Sequence, residues 1–187
     1  MRSLAFFISA LSFPLVCACA AGAEGLDAIQ AEIVSDYAAV AQLSPEAFLA
    51  LDPADVLLLD IREPEEFAVS RIPGAIWVNP SASAETALIQ IGNVTGKKIV
   101  VYCSVGVRSS RFAQRTQTDL LDMGAVSVAN LEQGIFGWHN DQLALVDAAG
   151  ETDVVHPYDA IWKRYVDRKD QAAFTPMSRD EASSTSK

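Results

Sequence analysis

The sequence predicts an α/β domain, in which a small parallel sheet carries helices on both faces. Short apolar runs alternate with segments of helical periodicity, which is the pattern of β-α-β units. The runs Val56–Ile61 and Ile99–Cys103 are almost continuously apolar, as expected of strands buried on both faces. The 187 residues, half of them apolar, suffice for one domain with a substantial core, and they exclude a large multidomain protein.

The chain begins with an uncharged apolar stretch. Met1-Arg2 precedes residues 3–23, which carry no charge and end in Ala21-Gly22-Ala23, a pattern that signal peptidases cleave. We therefore predict a signal peptide over residues 1–23 and export to the periplasm or another extracytoplasmic compartment. Two alternatives stay open: an uncleaved membrane anchor, and a lipoprotein with its lipid on Cys19. Contact with a membrane is expected only in those two cases.

The charge and the cysteine content exclude some classes of partner and of covalent structure. Lys and Arg number 14 against 24 Asp and Glu, giving a formal net charge of -10, and no basic run occurs, so we expect no nucleic-acid partner. Cleavage after Ala23 would remove Cys17 and Cys19 and leave Cys103 as the one thiol, which excludes an intramolecular disulfide. A single cysteine in an exported chain indicates either intermolecular pairing or a reactive thiol.

The predicted elements follow in order along the chain. Residues 24–42 have apolar residues at three- and four-residue spacing, and they predict an N-terminal helix that packs on the main domain as a cover. The main domain is predicted over residues 43–146, with strands at Val56–Ile61, Ala75–Val78, Ile99–Cys103 and Val126–Ala129. Helices are predicted at residues 45–51, 63–69, 84–91, 110–123 and 134–145.

Turn and capping residues support these boundaries. Ser44-Pro45 supplies an N-cap and a proline at the first helical position, while Gly92 and Gly124 stand where helices end. Residues 147–187 lose the alternating pattern and are predicted to form a C-terminal extension, disordered from Ser178 onward. Its aromatic cluster at 162–165 covers either the domain or a partner.

The segment Cys103-Ser104-Val105-Gly106-Val107-Arg108-Ser109 joins a predicted buried strand to a helix. Ligands bind at the carboxyl ends of parallel strands, where the next helix presents unpaired N–H groups. A loop curled around Cys103 would direct amides at the sulfur and, with Arg108, favour thiolate over thiol. Gly106 suits a curl that needs positive φ. The competing interpretation is an inert buried cysteine, and we favour the reactive one.

This segment resembles the active-site loop of the rhodanese family, in which a cysteine begins C-x-x-G-x-R. Three further motifs occur in the family's order: residues 60–67 resemble D-x-R-x-x-x-E-[FY], residues 71–75 resemble H-I-P-G-A, and residues 131–138 resemble L-x-G-G-x-x-x-W. Two positions depart from the pattern. Arg71 stands where histidine is common, and Gln133 stands where the first glycine often lies.

The resemblance implies a single-domain sulfurtransferase of rhodanese-like fold, with no metal or organic cofactor. Cys103 would attack the outer sulfur of thiosulfate or another sulfane donor, and it would hold that sulfur as a persulfide until a thiophilic small molecule or protein thiol removes it. The amides of Ser104 through Arg108 would stabilise the anionic sulfur. We predict structural support from Asp60 and Arg62, and packing or surface roles for His139 and His156.

Two other functions compete with sulfur transfer. Phosphatases and arsenate reductases of related fold need a longer C-x5-R loop, whereas Arg108 is the fifth residue after Cys103, so the loop length argues against them. A persulfide carrier, or a redox or binding module without efficient turnover, stays open because an acidic protein repels small anionic donors.

Overall fold

The computed structural model describes residues 21–82 and 84–176 of the chain. Five parallel strands form one sheet in the order β1-β5-β4-β2-β3, with bounds β1 Ala41–Leu43, β2 Val56–Asp60, β3 Ile76–Trp77, β4 Lys98–Tyr102 and β5 Ser127–Leu131. The helices are α1 Ala21–Asp36, α2 Pro45–Leu49, α3 Pro64–Val69, α4 Ala84–Ile91, α5 Val107–Asp122 and α6 Gly134–Asn140. The predicted parallel α/β class is confirmed.

Both faces of the sheet are covered, as the apolar strands predicted. Side chains alternate along β4: Ile99 and Val101 join one apolar cluster, and Val100 and Tyr102 join the other. The first cluster contains residues of α4 and α5, and the second contains residues of α1 and α6. The carboxyl end of β4 therefore opens between two packed layers, where Cys103 follows directly.

The predicted N-terminal helix is shorter than expected. α1 ends at Asp36, and residues 41–43 form the edge strand β1, which pairs in parallel with β5 through Ala41 and Ala129. Helical spacing of apolar residues continues past Asp36, but pairing with a strand about 90 residues later decides the conformation of this stretch. Residues 1–20 of the predicted signal peptide lie outside the described residues, and so does the predicted disordered end from Ser178.

Two other boundaries differ from prediction. α5 begins at Val107 rather than Ser110, so the last three residues of the thiol loop form the first turn of that helix. α6 ends at Asn140 rather than Leu145, and Gln142 just after it adopts a positive φ of 59°. Leu145–Val146 then forms a strand, β6, paired antiparallel with β7 (Glu151–Thr152). Of the helices in the described part of the chain, none combines the length and apolar character needed to cross a bilayer.

Residues 147–176, called the C-terminal segment below, pack against the domain. Val155 and Val166 are fully buried in the second apolar cluster. The ring of Tyr165 lies so close to α1 that a Cβ on Gly25 would stand 2.6 Å from it. Asn140 on α6 donates a 2.9 Å hydrogen bond to the carbonyl of Tyr165. The segment is thus held between α1 and α6.

Candidate active site

Cys103 lies at the carboxyl end of β4 and is 1% exposed. The amide of Gly106 donates a 3.2 Å hydrogen bond to its Sγ, and the hydroxyl of Ser109 lies 3.4 Å from Sγ. Gly106 has φ of 102°, and a Cβ there would approach the side chains of Ile33 and Asn130 to 3.0 and 3.2 Å. The curl therefore requires glycine, as predicted, and it places two donors beside the sulfur.

Ser109 links the thiol to a buried polar chain. Its hydroxyl lies 2.5 Å from Oδ1 of Asn130, whose amide donates to Oε1 of Gln42 at 2.8 Å. The hydroxyl has one proton and can turn it toward Asn130, toward the carbonyl of Gly106 at 3.1 Å, or toward Sγ. Because hydrogen bonds to an anion are the stronger ones, an ionised Cys103 would draw that proton to the sulfur.

The start of α6 holds the thiol loop in place. The amide of Ile135 donates to the carbonyl of Cys103 at 2.9 Å, and that of Phe136 donates to the carbonyl of Ser104 at 3.0 Å. Gly134 has φ of 56°, and a Cβ there would collide with the carbonyl of Cys103 and stand 2.8 Å from that of Ser104. The carbonyls of Cys103 and Ser104 are thus bound by amides at the start of α6.

Gln133 takes the position at which the resembled pattern often has glycine. It adopts φ of 56°, in the left-handed region that side chains rarely occupy. Its amide N–H donates to Oε1 of Gln30, and its side chain donates to Oδ1 of Asp27 at 2.7 Å, both on α1. This departure therefore connects the N-terminal helix to the turn that clamps the thiol loop.

Arg108 is paired with a carboxylate that the sequence analysis did not single out. Its guanidinium donates two hydrogen bonds of 2.9 Å to Glu66, and it also reaches the hydroxyl of Ser104 at 2.9 Å. Ser104 in turn donates to Glu66 at 2.8 Å. The signal was present, because Glu66 is the glutamate of the early motif at residues 60–67.

The ionisation of this pair follows from its surroundings. Burial raises the pKa of Glu66, but hydrogen bonds from Arg108 and the charges of Arg108 and Arg62 outweigh burial, so its pKa lies below the ordinary value. Burial lowers the pKa of Arg108, and Glu66 together with the nearby Cys103 more than offsets it, so its pKa is raised. Both groups are charged at neutral pH, and their charges cancel.

Asp60 and Arg62 form a second, fully buried ion pair with an N–O distance of 2.6 Å. Tyr102 on β4 donates to the same carboxylate at 2.6 Å, and Arg62 donates to the carbonyl of Ser70 after α3 at 2.6 Å. These contacts join the ends of β2 and β4 to the end of α3. The predicted support residues thus lie within the framework around the thiol loop.

A pocket of about 220 Å³ opens at the thiol, lined by Cys103, Ser104, Val105, Val107, Arg108, Tyr158 and Trp162. Tyr158 and Trp162 belong to the C-terminal segment and were not predicted as site residues. The Arg108 guanidinium stands 4.8 Å from the centre of the Tyr158 ring. The only hint in the sequence was the aromatic cluster beyond Val146, which had no motif to connect it to Cys103.

The two histidines take part in packing and backbone contacts. Nε2 of His139 lies 3.0 Å from the carbonyl of Asp153, and Nδ1 of His156 accepts a 3.0 Å hydrogen bond from the amide of Tyr158. Burial is the main reason that the pKa of each lies below its ordinary value. Within residues 21–82 and 84–176, no three His, Cys, Asp or Glu side chains are grouped as a metal site requires.

Comparisons with known proteins agree with this architecture. The family model of the rhodanese-like domain matches residues 44–141. A sulfurtransferase of Allochromatium vinosum is 33% identical over 99 residues, which cover 53% of this chain and 86% of that protein. A tRNA uridine(34) hydroxylase of Aster yellows witches'-broom phytoplasma is 36% identical over 109 residues, which cover 52% of this chain and 32% of that protein.

Among solved structures, a thiosulfate sulfurtransferase from Pseudomonas aeruginosa shares the fold with a TM-score of 0.51 at 19% identity, covering 78% of this chain and 27% of that chain. Residues 142–176, which carry Tyr158 and Trp162, lie beyond the family match. The match spans half of the chain and includes every motif quoted above. The chain belongs to the rhodanese-like domain family.

Proposed function

We propose that the protein is a sulfurtransferase that carries a sulfane sulfur as a persulfide on Cys103. The observation that carries this proposal is the position of Sγ, 3.2 Å from the Gly106 amide at the end of β4 and on the wall of a pocket. The N-terminus of the 16-residue helix α5, at Val107, adds a partial positive charge beside the same loop. All of these features stabilise a negatively charged sulfur.

The proposed reaction has two displacements. The Cys103 thiolate attacks the outer sulfur of thiosulfate or a related donor, a Cys103 S–S bond forms, and the donor's S–S bond breaks with its electron pair leaving on sulfite. A thiophilic acceptor, such as a thiolate or cyanide, then attacks the outer sulfur, and the Cys103 thiolate leaves. No external oxidant or reductant enters. Asp60 and Arg62 are assigned to support of the framework and take no part in either displacement.

The test is steady-state formation of thiocyanate from thiosulfate and cyanide by the native protein and by Cys103→Ser. We expect turnover by the first and none by the second. Full activity of Cys103→Ser would show that the Cys103 thiol takes no part in the reaction. Folding of the variant is checked by thermal unfolding, which an isosteric change at one atom should leave nearly unchanged.

A second candidate is a persulfide carrier or redox module without efficient turnover. The 1% exposure of Cys103 and the net charge of -10 favour it, because both hinder small anionic donors. The tRNA uridine(34) hydroxylase among the relatives gives a further reason to weigh a role other than thiosulfate turnover. Under this candidate, Cys103 accepts one sulfur from a donor, and multiple turnover with cyanide is absent.

We also propose that the protein works after export. The uncharged residues 3–23 and the Ala21-Gly22-Ala23 pattern support cleavage before Glu24. Intact mass of the protein from the exported fraction distinguishes the forms. A chain starting at Glu24 supports the signal peptide, whereas the full mass or a lipid adduct supports one of the anchored alternatives.

A further inference from the structure

The pocket at Cys103 has an aromatic wall that the family match does not include. Tyr158 and Trp162 come from the C-terminal segment, and Val105 and Val107 of the thiol loop complete an apolar lining. Ser104 and Arg108 are the remaining lining residues apart from the cysteine. Whatever approaches Cys103 through this pocket therefore passes between aromatic rings and valine side chains.

The wall is built rigidly. Tyr158 has φ of 65°, a left-handed conformation that is strained for an aromatic residue and persists only where surrounding contacts impose it. Its amide is bound by His156, and its ring lies against Arg108. Asp159 accepts a 2.8 Å hydrogen bond from the amide of Trp162, which fixes the start of the turn that carries the indole.

Tyr165 packs beside the indole ring of Trp162. The two ring centres lie 5.4 Å apart, and Tyr165 packs against Gly25 of α1. The aromatic wall is therefore formed without a ligand, so ordering it adds little entropic cost to binding.

The lining of the pocket has no unpaired cationic side chain. Arg108 is the one cation in its lining, and the negative charge of Glu66, which accepts two hydrogen bonds from it, offsets its charge. A dianion such as thiosulfate would lose its hydration here and would meet only the loop amides and the α5 N-terminus, with no unpaired cationic side chain in the lining. The chain's charge of -10 adds long-range repulsion.

The volume fits a small organic molecule. Cavities of roughly 150 Å³ lined by apolar side chains accommodate benzene, and this pocket has about 220 Å³. It therefore has room for one aromatic ring or a short alkyl group beside the sulfur atoms that react with Cys103. Burial of such a group on Tyr158 and Trp162 would stabilise the complex in proportion to the apolar area removed from water.

We infer that the C-terminal segment makes this pocket selective for organic sulfane donors of low charge that carry an apolar or aromatic group, and against thiosulfate. This selectivity presupposes the sulfur transfer proposed above. With a thiosulfonate as donor, the Cys103 thiolate attacks the outer sulfur, the new Cys103 S–S bond forms, and the donor's S–S bond breaks with its electron pair leaving on the sulfinate. One negative charge then resides on the persulfide and one on the sulfinate.

The experiment compares three donors with one acceptor. Thiosulfate is a dianion, methanethiosulfonate is a monoanion with a methyl group, and benzenethiosulfonate is a monoanion with a ring. We expect kcat/KM to rise in that order, with about tenfold or more between the first and the last, the discrimination that one apolar group gives in a fitted pocket. Thiosulfate used as well as benzenethiosulfonate, or better, would overturn the selectivity.

Substitutions of Tyr158 and Trp162 test whether the aromatic wall causes the selectivity. Tyr158→Gly removes the ring and also relieves the positive φ, so we expect the variant to fold and its ratio of kcat/KM between benzenethiosulfonate and thiosulfate to fall several-fold. Trp162→Phe tests the second ring with little loss of packing and should lower the same ratio. The matched control is Ile161→Ala, at a neighbouring side chain that is 65% exposed, and it should leave the ratio unchanged.

Binding to Cys103→Ser, measured by calorimetry, separates this selectivity from the chemistry. Benzenethiosulfonate should bind at least about tenfold more tightly than thiosulfate even though no sulfur moves. Tighter binding of benzenethiosulfonate with no transfer by the native protein would support the pocket's selectivity and refute the sulfurtransferase function. Transfer from all three donors at equal kcat/KM, with equal binding, would refute the pocket's selectivity and support the sulfurtransferase function.

Discussion

Arg108, the fifth residue after Cys103, donates two 2.9 Å hydrogen bonds to Glu66, whose carboxylate also accepts from Ser104 and from the amide of Glu63. The arginine of the thiol loop is therefore occupied by an internal carboxylate. Glu66 is 1% exposed, so its negative charge stays beside the loop whatever enters the pocket. This arrangement joins the early motif to the thiol loop and sets the charge that a donor meets.

Glu66→Gln should change both stability and donor preference. The variant leaves the partly buried Arg108 without its carboxylate, and we expect a loss of about 2 kcal/mol in the free energy of unfolding, less than for a fully buried pair because Arg108 is 28% exposed. The released positive charge should raise kcat/KM for thiosulfate relative to benzenethiosulfonate. Denaturant unfolding and the donor ratio measure the two effects.

The matched control for that change is Glu65→Gln, at an exposed carboxylate one residue earlier on α3. It alters the net charge of the protein equally and should shift neither quantity appreciably. An equal shift in donor ratio for both variants would mean that overall charge, rather than the pair with Arg108, sets the preference.

Gly134→Ala should disrupt the thiol loop. The added Cβ would collide with backbone carbonyls of Cys103 and Ser104, which cannot move aside as the end of a flexible side chain can. We expect a loss of about 3 kcal/mol or more in unfolding free energy, together with slower loading of Cys103 in the folded protein. Gly92→Ala separates strain from collision, since Gly92 has φ of 75° and no atom of the described residues lies within 4 Å of the added Cβ. It should lose about 1 kcal/mol with unchanged loading.

Ser109→Ala should slow persulfide formation. It removes the hydroxyl 3.4 Å from Sγ and thus one donor to the anionic sulfur. Because this contact is long, we expect a reduction of about tenfold in the single-turnover rate, below the effect of a well-aligned oxyanion-hole donor. Ser110→Ala removes a buried hydroxyl of the next residue that has no hydrogen-bond partner among the described residues, and it should leave the rate unchanged. Equal single-turnover rates for the two variants would show that the Ser109 hydroxyl does not assist persulfide formation.

The free energy of unfolding should fall as the pH is lowered, and the titration of His139 should account for an identifiable part of that fall. Burial, followed by the charge of Arg168, places the folded-state pKa of His139 below its ordinary value of 6.5. As pH falls below that value, the unfolded chain binds a proton that the folded protein does not, so the free energy of unfolding decreases until the folded-state pKa is passed. His156 acts with the same sign, and so does Glu66 below its ordinary value of 4.5.

The variant His139→Gln tests this assignment, because glutamine can donate to the Asp153 carbonyl but does not titrate in this range. Its unfolding free energy should depend less on pH between about 6.5 and 5, by at most about 1.4 kcal/mol per pH unit. A slope equal to that of the native protein would show that His139 does not contribute. The slope is measured by urea unfolding at several pH values.

The sequence predicted the elements that depend on local signals. The apolar runs located β2 and β4, Ser44 and Pro45 located the start of α2, and residues 103–109 identified the thiol loop. These features follow from neighbours along the chain: unbroken apolar runs, capping residues and a motif of fixed spacing. The parallel sheet then follows from their alternation.

Features that depend on distant pairing were missed or misplaced. β1 exists because residues 41–43 pair with β5, and the two rings of the pocket come from a segment more than 50 residues after Cys103. Glu66 lay inside a recognised motif, yet its role depends on contact with an arginine 42 residues later. Such contacts are created by the fold, and local periodicity carries no information about them.

The most direct test of a Cys103 persulfide is the intact mass of the native protein before donor, after donor, and after subsequent cyanide. Both thiosulfate and benzenethiosulfonate are used, with Cys103→Ser alongside. We predict a gain of about 32 Da, one sulfur atom, on the native protein, its removal by cyanide, and no gain on Cys103→Ser. No gain from either donor, while Cys103 still reacts with an alkylating reagent, would contradict the sulfurtransferase function, because the thiol would then be accessible without accepting sulfur.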